Sequence, residues 1–92
     1  MKKCVKINFH VPIKNKLLHD FIQQHARTQD LEGVAHIQMS GDVDIVACGA
    51  TEAIENFLDA LHRESATYAI SNIAIESFVK SRDYRNIFRI IE

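Results

Sequence analysis

Apolar and polar residues alternate over residues 3–11: Val5, Ile7, Phe9 and Val11 fall on one side, Cys4, Lys6, Asn8 and His10 on the other. A period of two predicts a half-buried strand, and Pro12 stops it. From Asn15 the period lengthens. Leu18, Phe21, Ile22 and His25 recur at helical spacing, with Leu17 and Ala26 widening the stripe, so an amphipathic helix is expected. Gly33 punctuates the end of the connection that follows. Val34–Met39 and Asp42–Ala47 then flank Ser40-Gly41, a hairpin signal, with Val43, Ile45 and Ala47 sharing a face of the second strand.

Gly49-Ala50-Thr51 leads into a second helix whose stripe is Ile54, Phe57, Leu58 and Leu61. Thr51 reads as its N-cap, and Glu52 and Glu55 suit the positive end of its dipole. Beyond the polar Arg63-Glu64-Ser65, a further strand carries Ile70, Ile73 and Ile75. Positions 70 and 73 can share a face only through a bulge or a late strand start. Ile87–Ile91 is a short last strand. This order predicts an α+β, ferredoxin-like α/β sandwich, βαββαβ plus a short C-terminal strand. Both helices should pack on one face of an antiparallel sheet, leaving the other face relatively open. At 92 residues, the chain should form a single domain over 1–92, and no repeat or linker divides it.

Composition narrows the function classes. Hydrophobic residues are 47% and charged residues 25%, an ordinary globular balance, and the net charge of −1 supplies no basic field for nucleic acid or an anionic membrane. Ferredoxin-like RNA binders also need stacking aromatics on their central strands, where the first strand here offers Cys4, Lys6, Asn8 and His10. No secretory core and no spanning stretch is read from the sequence, so a cytoplasmic protein is expected. Cys4 and Cys48 form no Cys-x-x-Cys pair. Alternation puts them on one sheet face, on neighbouring strands; a redox pair is conceivable, but without an activating motif two free thiols in a reducing compartment are expected.

The second half of the chain resembles the acylphosphatases. Leu31-Glu32-Gly33-Val34 is similar to that family's L-x-G-[WV] turn, and the run from Gly41-Asp42-Val43 to Ala47-Cys48-Gly49 to its D-G-x-V-x-[VI]-x-A-x-G hairpin. Glu52 to Leu61 follows the family's E-A-[LI]-x-x-F-L-x-x-L helix without a gap, Ile70-x-x-Ile73-x-Ile75 resembles the next strand, and Phe88-Arg89-Ile90 the usual F-x-I close. The resemblance implies hydrolysis of acyl phosphates. In the family a Q-G-V-G-F-R loop wraps the phosphate with backbone N–H groups, its arginine neutralises the charge, and an asparagine on the second strand positions the attacking water. Bare backbone must approach an anion closely at a helix N-terminus, and developing negative charge needs fixed donors.

Here the loop reads Pro12-Ile13-Lys14-Asn15-Lys16-Leu17-Leu18-His19. In register with Phe21 and Gly33, His19 stands where the resemblance implies the arginine, Asn15 and Leu17 replace the two glycines, and Ile37 stands for the asparagine. A branched Leu17 disfavours the φ > 0 conformations that a glycine nest uses. This set predicts a chain that is not an efficient acylphosphatase and that acts as a small anion-binding or interaction module, its partner a phosphate-containing ligand or a protein. The anion-binding loop would be Lys14, Asn15, Lys16 and His19, with solvated lysines and an ordinary surface histidine as the plainer reading. Two alternatives stand beside it: a divergent hydrolase of acyl phosphates or related phosphoanhydrides using Lys14, Lys16 or His19, and an oligomerising protein working through the open sheet face, so monomer and homodimer both stay open. No cofactor is implied. His10, His19, His25, His36 and His62 show no zinc-site spacing, so no metal is expected; His10 and His36 could still project from neighbouring strands, and His25 belongs to a helix stripe.

Overall fold

The structure, a computed structural model, describes residues 2–12, 16–78 and 87–91. Its order is β1 (Lys2–His10), α1 (Lys16–Thr28), β2 (Glu32–Ile37), β3 (Asp42–Ala50), α2 (Thr51–Arg63), β4 (Ser71–Phe78) and β5 (Phe88–Ile91). The five strands form one sheet in the order β4-β1-β3-β2-β5, antiparallel except where β5 runs parallel to β2. This is the α+β sandwich that the pattern predicts.

Alternation decides which side chains meet the helices. Val5, Ile7 and Phe9 of β1, Ala35 and Ile37 of β2, and Val43, Ile45 and Ala47 of β3 are buried in one cluster with Leu18, Phe21, Ile22 and Ala26 of α1 and Ala53, Ile54, Phe57, Ala60 and Leu61 of α2. Burying a side chain of this size stabilises the fold by about 1.5–3 kcal/mol. Leu17 departs from the expected stripe: it is 70% exposed, because the neighbouring Leu18 faces the sheet. Thr51 is the first residue of α2, and Ala50 takes the N-cap position with no side-chain hydrogen bond. Glu52 sits in the first turn, as the dipole favours.

Two backbone positions shape the sheet. Gly33 has φ +143°, and a Cβ there would overlap the Val46 carbonyl on β3. The irregular Ile70–Ile75 stretch is resolved by both devices anticipated. Ile70 is buried just ahead of β4, and the β1–β4 register slips by one residue between Asn8↔Ala74 and His10↔Ser71. Asn72 takes a left-handed conformation at the slip, with φ 57°, as a bulge residue does.

The expectation of two free thiols is overturned. Cys4 and Cys48 are directly opposite in the β1–β3 register, with Cα atoms 4.1 Å apart, and they form a disulfide. Alternation and register together bring the two sulfurs to one spot on the face away from the helices. The thiol argument for a reducing compartment falls with this pairing. Among the described residues no helix is long and apolar enough to cross a membrane.

The disulfide closes a separation of 44 residues, a loop whose entropy in the unfolded chain is worth about 4 kcal/mol on the chain-entropy account. Urea unfolding with and without a reductant should show the oxidised protein more stable by about 2–4 kcal/mol, most of the loss reproduced by a Cys4→Ala/Cys48→Ala variant. Coincident unfolding curves would show that the bridge does not form in solution.

Candidate functional site

The β1–α1 connection, the first turn of α1 and the end of β2 carry the residues singled out from the sequence. Lys14 and Asn15 lie outside the described residues. Lys16 opens α1 and is exposed, and His19, three residues on and hence on the same side of the helix, is half-buried. The first turn of α1 carries no acidic side chain of its own. Ile37 ends β2 and is only 1% exposed, within the apolar cluster between sheet and helices. The chain is tied at this end by a hydrogen bond from the Val11 N–H to the Gly41 carbonyl, 2.8 Å, which holds the exit of β1 against the β2–β3 turn. The turn is closed by the Gly41 N–H on the Gln38 carbonyl at 3.0 Å.

A second group of polar side chains lies on the sheet face away from the helices. Asn8 of β1 donates to Asp44 Oδ1 on β3, and Gln38 Nε2 donates to the other oxygen of the same carboxylate at 3.2 Å. His10 Nδ1 is 3.0 Å from Asp42 Oδ1, and the Ser40 hydroxyl donates to Asp42 Oδ2 at 3.2 Å. These contacts follow from register, which sets Asn8 opposite Asp44 and His10 opposite Asp42. Beside them Lys6, Asn8, Asp44, Ala74, Ile75 and Glu76 line a shallow cavity of about 270 Å³. The Asp42 carboxyl is held below the ordinary aspartate range, first by its hydrogen bond with His10 and then by that with Ser40.

The two groups differ in what they can bind. The open face pairs its carboxylates with donors of its own, and the hairpin end of that face presents oxygen acceptors, which repel an anion. The start of α1 carries an ammonium group and an imidazole. The expectation that His10 and His36 project from neighbouring strands is corrected: β3 lies between β1 and β2. His36 is set opposite Asp44, and His10 meets Asp42 instead. Among the described residues no three His, Cys, Asp or Glu side chains gather as a metal site. His25 packs its ring on Phe21, centroids 4.5 Å apart, as a boundary residue of the helix stripe. The Asn8–Asp44–Gln38 contacts were not singled out from sequence, although the same alternation puts Asn8, Asp44 and Asp42 on one face.

A five-stranded sheet of this order, with two helices on one side, defines the acylphosphatase-type ferredoxin-like fold. The acylphosphatase family model matches residues 15–90, and the chain belongs to that family. Among solved structures it is similar to an acylphosphatase from Coxiella burnetii, with 25% identity, a TM-score of 0.82, and coverage of 97% of this chain and 92% of that one. It is also similar to the acylphosphatase from Bacillus subtilis, with 21% identity, a TM-score of 0.84, and full coverage of both chains. Full-length HypF in its phosphate- and nucleotide-bound form shares the fold over 100% of this chain and 12% of its own, at 20% identity and a TM-score of 0.84. No curated protein matches the chain.

The His10–Asp42 contact gives a pH test. A carboxylate with a depressed folded pKa stabilises the fold above its unfolded pKa, and that contribution is lost as pH falls through the folded value. The loss therefore lies in the acid range, below about pH 4. In an NMR titration of the Asp42 carboxyl, His10→Ala should move its midpoint upward, toward the ordinary aspartate value. Superimposable titrations of the two proteins would show that His10 does not hold that carboxylate.

Proposed function

We propose that this acylphosphatase-family domain does not hydrolyse acyl phosphates efficiently and that it binds a small phosphate-containing anion, or a partner presenting one, at the start of α1. The observation that carries the first half is Ile37. At the position where the family places the asparagine that orients water, this chain has a hydrocarbon side chain, packed in the apolar cluster with 1% exposure. A water molecule held there would lack a donor or acceptor from that residue, and ordered water needs two to four polar partners. His19 in place of the arginine adds to this. Imidazole has no fork of parallel donors.

The second half rests on what the same region keeps. Lys16 is exposed on the first turn of α1, His19 lies on the same side, and no acidic residue occupies that turn. An ammonium group at the positive end of the helix dipole favours an anion without requiring glycine. Binding and turnover then separate. The anion meets positive charge, while nothing at residue 37 activates water against it.

Two measurements test the two halves. Removal of one preorganised donor lowers turnover by about 10²–10³, so with two such groups replaced, at His19 and Ile37, kcat/KM on a small acyl phosphate should fall about 10⁴-fold or more below that of the Bacillus subtilis acylphosphatase. A value within tenfold of that enzyme would sink the reading. Inorganic phosphate should shift the backbone amide resonances of residues 16–19, and Lys16→Glu should abolish the shifts; silent amides would rule out the anion site. Ile37→Asn should cost about 3–5 kcal/mol of stability, because it removes core packing and buries an amide.

A further inference from the structure

The hydrogen-bond parity of the sheet can be read from its inner ladders. Cys4 and Cys48, with Cα atoms 4.1 Å apart, have the spacing of a non-hydrogen-bonded antiparallel pair. The Val11 N–H bonds to the Gly41 carbonyl across the same ladder, so the odd residues of β1 are those turned toward β3. The Gln38 N–H to the Asp42 carbonyl and the Gly33 N–H to the Ile87 carbonyl fit the same alternation on β3 and β2. The even residues of β1 therefore direct their backbone groups to β4, where Lys6 faces Glu76 and Asn8 faces Ala74. On β4, Ala74 and Glu76 spend their N–H and C=O groups on β1. Ile75 and Ser77, and Ile73 beyond them, aim theirs away from the sheet.

β4 is an edge strand, and Ser71–Phe78 contains no proline and no lysine, the residues by which edges are commonly blunted. Ile75 shares a face with the buried Ile7 directly opposite it, yet is 42% exposed, while the main helix packing falls on β1, β3 and β5. The other edge, β5, has four residues.

We propose that β4 is a self-association edge, through which two copies of this chain pair antiparallel about a two-fold axis at Ile75. In that register Ile75 faces Ile75 of the second copy, and each Ser77 faces an Ile73. All are positions whose backbone groups point outward, giving about six new hydrogen bonds. Glu76 lies opposite Ala74 of the second copy, so no like charges stand directly opposite, and it keeps Lys6 beside it on its own sheet. The bulge at Asn72 falls outside the paired segment. The occupant is a second copy because the outward backbone parity is two-fold symmetric about Ile75 and the register sets each Glu76 opposite an Ala74, with Lys6 of its own sheet beside it. The interface is small, so the dimer is weak and concentration-dependent.

Sedimentation equilibrium should show a monomer at low micromolar concentration and a rising dimer fraction toward about 1 mM. Over that range hydrogen exchange should slow at the amides of Ile75 and Ser77, while those of Ala74 and Glu76 stay protected throughout. Ser77→Pro removes only an outward N–H and should leave a folded monomer. Ile75→Lys should do the same by a different route, whereas Ala74→Pro should lose stability through the β1 ladder. A chain that stays monomeric at about 1 mM would overturn the proposal. So would a dimer that survives both Ser77→Pro and Ile75→Lys, and a dimer abolished by Val46→Lys instead would place the contact on the open face.

Discussion

The antiparallel pairing of β1 with β3, from Lys2↔Ala50 to His10↔Asp42, is the constraint on which the remaining features depend. It joins the two central strands of the sheet, and a slip of one residue would turn Val5, Ile7, Phe9, Val43, Ile45 and Ala47 away from the helices. The same register sets Cys4 against Cys48, Asn8 against Asp44 and His10 against Asp42. Core, disulfide and surface polar contacts are three consequences of one alignment. The disulfide also locks that alignment covalently at the end opposite the hairpin.

Much of the fold was legible because alternation and helical spacing are strong here. The apolar positions of β1 and β3 and the Ile54, Phe57, Leu61 stripe of α2 were read directly, and the irregular spacing of Ile70 and Ile73 announced the bulge before its position was known. Other features were not legible, for reasons that are physical. Leu17 and Leu18 are chemically alike, and only the rotation of α1 about its axis decides that one is exposed and the other buried. A strand pattern says which face a cysteine takes but not its offset along the neighbouring strand, so the bridge needed the register. The His10 and His36 suggestion failed on strand order, which periodicity does not carry.

The candidate site was legible in part. The resemblance to the family marks His19 and Ile37 as the positions to inspect, and the structure adds what a sequence resemblance lacks: Ile37 is sealed into the apolar cluster. The carboxylate contacts on the open face were missed because each residue alone is an ordinary polar strand position. Their meaning comes from cross-strand neighbours, with Asp44 receiving Asn8 from one strand and Gln38 from the turn.

Retention of the fold and change at the site are physically separable in this architecture. The cluster of β1, β3, α1 and α2 is built from strand and helix interiors, while an anion is met by loop backbone and the first turn of a helix. Leu17 and His19 lie outside that cluster, so the first turn of α1 can vary at these positions while the packing stays in place. Ile37 is the exception, since it belongs to both: as a core residue it adds apolar burial, and as the residue at the family's asparagine position it removes a polar group. An asparagine there must either find buried partners or reach solvent, and each route weakens packing that isoleucine supplies. A functional polar residue at a core boundary is maintained against stability. Packing favours a hydrocarbon side chain at that boundary, and Ile37, 1% exposed, supplies it.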